Sequence, residues 1–373
     1  MRSYLLLILT LFSTVAGAQT LFQGTVKGAQ DSIGIEGVNI MIQEKDKSIA
    51  LKEVKITSPK IKQMGDTIEY ILSSFMNNND RTIEDVLKKL PGIDVEESGR
   101  ILYQSKPIDK FYIEGLDLLQ GRYGIATKNV EAKDVLIVQV LENNQEIKIL
   151  KDRVFSEQAA INLKLKESAK GVLTANTLLG AGLSPLLWAG EVTTQYFAKN
   201  RQNISTYKGN NAGNNVSTEQ RLLYSLDSFQ QQDGGLLSVQ SPAPPSIAQK
   251  RHLFNQSNAV SLNNLLKTSS DCEINANINY LNEQINKNSF SSTEYFLLRN
   301  EFLKVEELLT SKSYVNQANA DIQLNANKDK LYFNNTLKFE GGWNSENGDA
   351  ISQESVKQEL DKPNYSINNN FCQ

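Results

Sequence analysis

From Gly171 onward the chain alternates. In EINANINYL, Ile274, Ala276, Ile278 and Tyr280 fall at every second position, with Asn275, Asn277 and Asn279 between them. In QANADIQLNA, Ala318, Ala320, Ile322 and Leu324 oppose Asn319, Asp321, Gln323 and Asn325. KLYFNNTLKFEGGW puts Leu331, Phe333, Leu337, Phe339 and Trp343 on one face, and LLWAGEVTTQYFAKN is a further candidate with aromatics near both ends. A period of two predicts strands with one apolar and one polar face. Strands of roughly ten residues with this texture, roughly eight to ten in number, fit a transmembrane barrel with aromatic girdles. A soluble antiparallel sheet, apolar toward a core and polar toward water, gives the same pattern on any single strand. The polar stretches 208–220 and 232–248 read as long loops and outward-facing contact surfaces.

Residues 51–168 mix periods. LKEVKITSP predicts a strand that stops at Pro59, and 66–76, DTIEYILSSFM, fits either a strand or a short helix. In TIEDVLKKLPGIDV, Ile83, Val86, Leu87 and Leu90 lie on one helical face. Thr82 is the candidate N-cap with Asp85 at N3, a variant of the capping box. Lys88 and Lys89 read as the last turn, where cations suit the dipole, and Pro91-Gly92 stops the helix. IDVEE, GRILYQ and KFYIEG predict short strands; Ser98-Gly99 is a good turn pair and Gln104-Ser105 a poorer one. VEAKDVLIVQVLE reads as a helical start running into a buried strand, and AINLKLKE as a further strand. The Pro91-Gly92 corner, Gly115 and Gly121 mark tight turns.

Ahead of this lie two candidate strands, FQGTVKG and GVNIMIQEK, with a turn-rich stretch from Gly28 to Gly37 between them. Two strands alone are not stable in water, so residues 19–50 read as the opening of a β-sandwich whose remaining strands are missing. The first residues, MRSYLLLILTLFSTVAGAQT, carry a basic n-region, an apolar run too short to span a bilayer, and Ala16-Gly17-Ala18. This is a secretory signal peptide cut after Ala18.

Net charge is −3 with mixed signs, which argues against a nucleic-acid partner. Cys272 and Cys372 are the only cysteines, so disulfides do not organise the fold. No stretch approaches roughly twenty apolar residues, so helical membrane spans are excluded. Catalytic chemistry is poorly supplied. The one histidine, His252, sits in a polar stretch without a nucleophile-elbow pattern, and there are too few His and Cys for a zinc site. No cofactor, metal or enzymatic activity is expected.

Residues 82–166, above all EDVLKKLPGIDV, KPIDKFYIEGLDLL and VLENNQEIKILKD, closely resemble the plug domain of TonB-dependent outer-membrane receptors, in the variant found in Bacteroides-type bacteria. FQGTVKG…GVNIMIQ resembles the start of a carboxypeptidase-regulatory-like β-sandwich, and GAGLSPLLWAGEV with the later alternation resembles the first barrel strands. The resemblance implies a signal peptide over 1–18, a partial regulatory-like sandwich over 19–50, an α+β plug over 51–168 and the N-terminal part of an antiparallel transmembrane barrel over 169–373. It implies uptake of an unidentified nutrient across the outer membrane, with outer-membrane lipid around the barrel and a TonB-type energy-transducing partner. Glu53-Val54-Lys55-Ile56-Thr57 occupies the place of the partner-binding TonB box; it reads equally as the plug's first strand. Because a plugged lumen belongs to barrels of about 22 strands, a barrel of this length is expected to be incomplete, the chain being a truncated or fragmentary receptor. An exported soluble β-rich surface protein, binding glycans or protein partners, is the alternative.

Overall fold

The computed structural model describes residues 59–151, 153–224, 237–296 and 302–373. The signal peptide, the 19–50 sandwich segment and Glu53–Thr57 lie outside the described residues. Ile61–Gln373 form one unit, built as a small mixed domain against one face of a long sheet.

The mixed domain starts with a hairpin, β1 (Ile61–Met64) and β2 (Thr67–Ile71), whose second strand runs straight into a 3-10 turn at Leu72–Ser74. The segment that fits strand or helix is therefore both in succession. Helix α1 (Ile83–Leu87) follows. Its capping box forms: Asp85 Oδ2 accepts the amides of Thr82 and Arg81, each at 3.0 Å. Ile83, Val86, Leu87 and Leu90 are all buried, as one apolar face requires. The helix ends one turn sooner than the sequence predicts. Lys88 is its C-cap and pairs back to Glu84, while Lys89 pairs with Asp80. The chain turns at Pro91-Gly92, where Gly92 has φ +79° and the Pro91 carbonyl accepts the Tyr70 hydroxyl at 2.8 Å.

Burial alone would raise the Asp85 pKa, but the amide donors of Thr82 and Arg81 prevail and hold it below the ordinary value. Its contribution is therefore present above the unfolded pKa of about 3.9 and fades as pH falls through the lower folded value. Asp85→Ala should cost about 1 kcal/mol and speed amide exchange at Arg81 and Thr82 at neutral pH. Exchange measured by NMR or mass spectrometry checks this, and the difference from wild type should vanish in strong acid.

A three-stranded sheet comes next: β3 (Ile93–Val95), β4 (Ile101–Tyr103) and β5 (Lys106–Pro107). The poor turn pair Gln104-Ser105 does make the β4–β5 turn, with φ of 49° and 66°. The main sheet has the order β1-β2-β7-β8-β6, with β6 (Lys110–Ile113), β7 (Val135–Leu141) and β8 (Ala160–Leu165). Only β6 and β8 run parallel. β8 is buried on both faces, so its Asn162 must be satisfied inside. Its amide donates to Gln139 at 2.7 Å and accepts the Gly115 N–H at 2.9 Å. Short helix α2 (Gly124–Thr127) closes the core with Tyr123, Phe111 and Ile125.

The long sheet is an eight-stranded antiparallel meander in which every strand pairs with its sequence neighbours. Its strands are β9 (Leu173–Gly182), β10 (Leu187–Phe197), β11 (Arg201–Asn210), β12 (Phe254–Ser269), β13 (Cys272–Phe296), β14 (Phe302–Lys328), β15 (Leu331–Ile351) and β16 (Ser355–Cys372). β9 and β16 are its two edges. The first three strands have the expected length of about ten residues. The others do not: β13 and β14 reach 25 and 27 residues. Their far halves, including NKNSFSSTEYF, pair as a continuous ladder although apolar and polar residues no longer alternate there.

Candidate functional site: a sheet with its polar face inward

The register sorts the side chains of the long sheet into rows. One row crosses Val192, Tyr207, Val260, Tyr280, Ala318, Gly341 and Tyr365. The next row on that face carries Leu262, Ile278, Ala320, Phe339 and Ile367. Both rows point away from the mixed domain: Ile278 is 54% exposed and Ile322, one row further, 51%. On the opposite face, Asn263, Asn277 and Asp321 share a row, as do Ser261 and Asn279. Asn277 is 1% exposed and Asp321 3%. The asparagines and the aspartate therefore face the domain, and the isoleucines and leucines face outward. A water-soluble sheet packed on a domain has the reverse arrangement.

The outward apolar band has borders. On β14 it runs from Ala318 to Ala326, about 27 Å along the strand and roughly 21 Å after a tilt near 40°. Beyond the tyrosine row the outward positions become Asn258, Asn282 and Asn316, joined by Trp343. Asn282 donates to Asn316 at 2.7 Å. Gly341, in the Tyr280 row, leaves the space over which the Phe339 and Trp343 rings lie.

The inward face holds the domain largely through polar contacts. Arg122 Nη1 donates to Asp321 Oδ2 at 2.5 Å, both side chains being fully buried. Gln120 donates to Gln323 at 2.6 Å. Asn275 and Asn277 donate to the Leu118 carbonyl at 3.0 and 3.2 Å, Gln202 to that of Ile113 and Gln195 to that of Asn129, both at 2.8 Å. At the other end Asn327 accepts the Lys148 amide at 2.9 Å, and the Lys148 ammonium meets Asp271 at 2.6 Å. Phe197, Ile204 and Leu265 add an apolar patch where β10–β12 meet the domain core.

The loop after β11 completes the seam. The stretch 208–220, expected to face outward, folds in. Glu219 binds Lys208 at 2.7 Å and accepts from Asn129 at 3.0 Å, and Lys128 donates to Thr218. The reason is apolar content hidden in a polar composition: Val216 and Leu223 are buried. Tyr224 follows them into the domain, its ring 5.6 Å from that of Tyr123 and its hydroxyl accepting the Phe111 amide at 2.7 Å. Beside it Lys110 lies between Asp117 at 3.3 Å and Glu146 at 3.1 Å. Burial opposes the Lys110 charge, but these carboxylates overcome it and hold its pKa above the ordinary lysine value. Burial pushes Asp117 upward, with Lys110 opposing it.

The turn residues singled out from the sequence fall into two groups. Pro91 and Gly92 form an exposed corner of the mixed domain, between helix α1 and strand β3. Gly115 and Gly121, with φ of +80° and +95°, bracket the segment that carries Leu118 and Gln120 onto the inner wall. A side chain at Gly121 would crowd the Tyr224 ring. Sequence reading missed Arg122, Asp321 and Tyr224, and no local signal marks a pair 199 residues apart. Among the described residues no group of His, Cys, Asp and Glu is arranged to hold a metal, and no helix is long and apolar enough to cross a membrane. His252 ends a 3-10 turn in a loop.

No family model matches the chain, and no curated protein matches it in sequence. Solved structures do match. The siderophore receptor PirA from Pseudomonas aeruginosa is 10% identical, over 83% of this chain and 56% of its own, with a TM-score of 0.27. BauA, the ferric preacinetobactin receptor from Acinetobacter baumannii, is 11% identical over 83% and 51%, with a TM-score of 0.28. The alcaligin outer membrane receptor FauA from Bordetella pertussis is 9% identical over 83% and 60%, with a TM-score of 0.26. The chain spans between half and three-fifths of the length of these three structures.

Proposed function

We propose that the chain is a TonB-dependent outer-membrane receptor for nutrient uptake, or part of one, with the mixed domain as plug and the long sheet as barrel wall. The observation that carries this is the inverted sheet: apolar rows turned outward around a polar, domain-filled interior. An apolar band of this height, bordered by tyrosines and tryptophan, suits hydrocarbon. An exported soluble protein would expose the same band to water, far beyond the patch size tolerated on monomers. That disfavours the glycan- or partner-binding alternative.

On this reading Glu53–Thr57 is the coupling segment, placed ahead of β1 to add as a strand to a periplasmic partner. The signal peptide is removed after Ala18, residues 19–50 are a regulatory-like remnant of the Bacteroides type, and the ligand is an unidentified nutrient. β9 and β16 pair on one side only, and unpaired edges are not tolerated in hydrocarbon. The eight strands are thus an incomplete wall, to be closed by further strands.

Fluorescent labels test the faces. In a chain with Cys272 and Cys372 replaced by serine, single cysteines at positions 278 and 322 are labelled and placed in detergent micelles. A brominated detergent should quench both labels, and should spare a label at position 279. Equal quenching at 278 and 279, or a chain that stays monomeric in buffer without detergent, would falsify the membrane assignment.

A further inference from the structure

Strand β11 ends at Asn210, in the row of Ser257 and Glu283. The chain that follows does not stay at that end of the wall. Asn275, eight residues from Glu283 on β13, donates to the Asp117 carbonyl at 2.8 Å. The Tyr224 hydroxyl donates to the carboxylate of the same Asp117 at 3.3 Å. At roughly 3.4 Å per residue, the segment Val216–Tyr224 therefore ends about 27 Å further along the inner face than β11 did.

On its way the segment is held from both sides. Toward the wall, Glu219 pairs with Lys208, and the Gln220 amide donates to the Val260 carbonyl at 2.9 Å. Toward the domain, helix α2 lies directly on it: a Cβ at Gly124 would come within 3.2 Å of the Glu219 carbonyl. Leu223 is buried, and its N–H donates to the Gly121 carbonyl at 2.9 Å. The Lys110 ammonium that joins Asp117 and Glu146 also stands 5.5 Å from the centre of the Tyr224 ring.

Three pieces of chain thus meet at Asp117: the wall through Asn275, the loop through Tyr224 and the domain through Lys110. Tyr224 has a second task there. β6 is an edge strand of the domain's main sheet, and the Tyr224 hydroxyl accepts its Phe111 amide at 2.7 Å. If Tyr224 withdraws, that amide and the Asp117 carboxylate each lose a partner away from bulk water, which is costly. The loop and the Gly115–Gly121 segment therefore hold each other in place.

We propose that Val216–Tyr224 is a latch: the Gly115–Gly121 segment parts from the wall only when Tyr224 leaves the notch between Phe111 and Asp117, and the two movements are one equilibrium. A shift of the loop at the far end of β11 is then felt at the Asn275 row, and the reverse, because such coupling is reciprocal. The inference goes beyond the receptor reading and does not depend on what surrounds the wall.

Hydrogen exchange of the full chain in detergent micelles tests it. Tyr224→Phe removes only the hydroxyl. It should speed exchange about ten-fold in 216–223 and by the same factor in 115–121, from the loss of one buried hydrogen-bond partner. Amides of β7 and β8 should keep their wild-type rates in this variant, with the core of the domain still closed. Asp117→Ala, made from the domain side, should speed the same two stretches together. Lys148→Ala, which breaks the contact to Asp271 at the other end of the seam, should change neither. In Tyr224→Phe, a change in one stretch alone, unequal factors in the two, no change in either, or an equal rise in β7 and β8 overturns the inference.

Discussion

Ile278→Arg should destabilise the lipid-bound chain by about 2–4 kcal/mol, and Ile322→Arg by a similar amount. Both positions lie near the middle of the outward band, one row apart on neighbouring strands. In hydrocarbon a guanidinium must be dragged toward the surface or carry water inward, and that penalty is set by depth. Asn282→Arg, beyond the tyrosine row, should cost about 0–1 kcal/mol because it stands at the interface. A soluble protein would behave otherwise. More than half of each isoleucine is exposed, so arginine there would change stability by within about 0.5 kcal/mol. Urea titration in phospholipid-doped micelles, followed by tryptophan fluorescence, separates the two cases. Equal effects at positions 278 and 282 would remove the band from the account.

The alternation of β13–β15 was legible because the backbone period of two leaves its mark on composition. Which face turned inward was not legible. Asn275, Asn277 and Asn279 read equally well as a wet surface and as an interior, and only the mixed domain lying against them decides. The helix was legible for a local reason: Thr82, Asp85 and the apolar face interact within a few residues of one another. Its C-terminus was placed a turn too late because Lys88 and Lys89 are drawn to Glu84 and Asp80 instead of to the helix dipole. Strand length was not legible beyond Lys287, where strict alternation breaks down and register is held by the ladder begun lower in the sheet. The 208–220 loop was misplaced because a few apolar side chains, Val216 and Leu223 with Tyr224 just after, outweigh many small polar ones once a core is within reach.

The chemistry of the seam follows from the same arrangement. A domain held to a wall mainly by apolar burial loses roughly 25 cal/mol for each Å² it exposes on leaving. A domain held by amide and carbonyl pairs exchanges them for water at about 1 kcal/mol or less each. Gln202, Gln195, Asn275 and Asn277 belong to the second kind. Several buried atoms at the seam, including Asn263 Oδ1, Asn277 Oδ1 and Arg122 Nε, have no hydrogen-bond partner among the described residues, which weakens the seam further. Such a seam lets the domain part from the wall at small cost.

Arg122 and Asp321 are the exception within it, and the second large effect is expected there. Their pairing is buried from both sides, so Arg122→Ala leaves the Asp321 carboxylate without its cation in a place water reaches poorly. Breaking a buried pair from one side costs about 3–5 kcal/mol. Replacing both partners, as Arg122→Leu with Asp321→Leu, should recover most of that loss, because neither charge then remains to be desolvated. The single variant should loosen the Gly115–Gly121 segment from the wall, raising its amide exchange and its cleavage by protease in the folded chain. The double variant should leave both near wild type. A strong positive coupling between the two sites in this cycle, with exchange changes confined to the inner side of β13 and β14, would show that one ion pair sets how firmly the mixed domain is seated. Additive losses would mean that the polar contacts around it already do so.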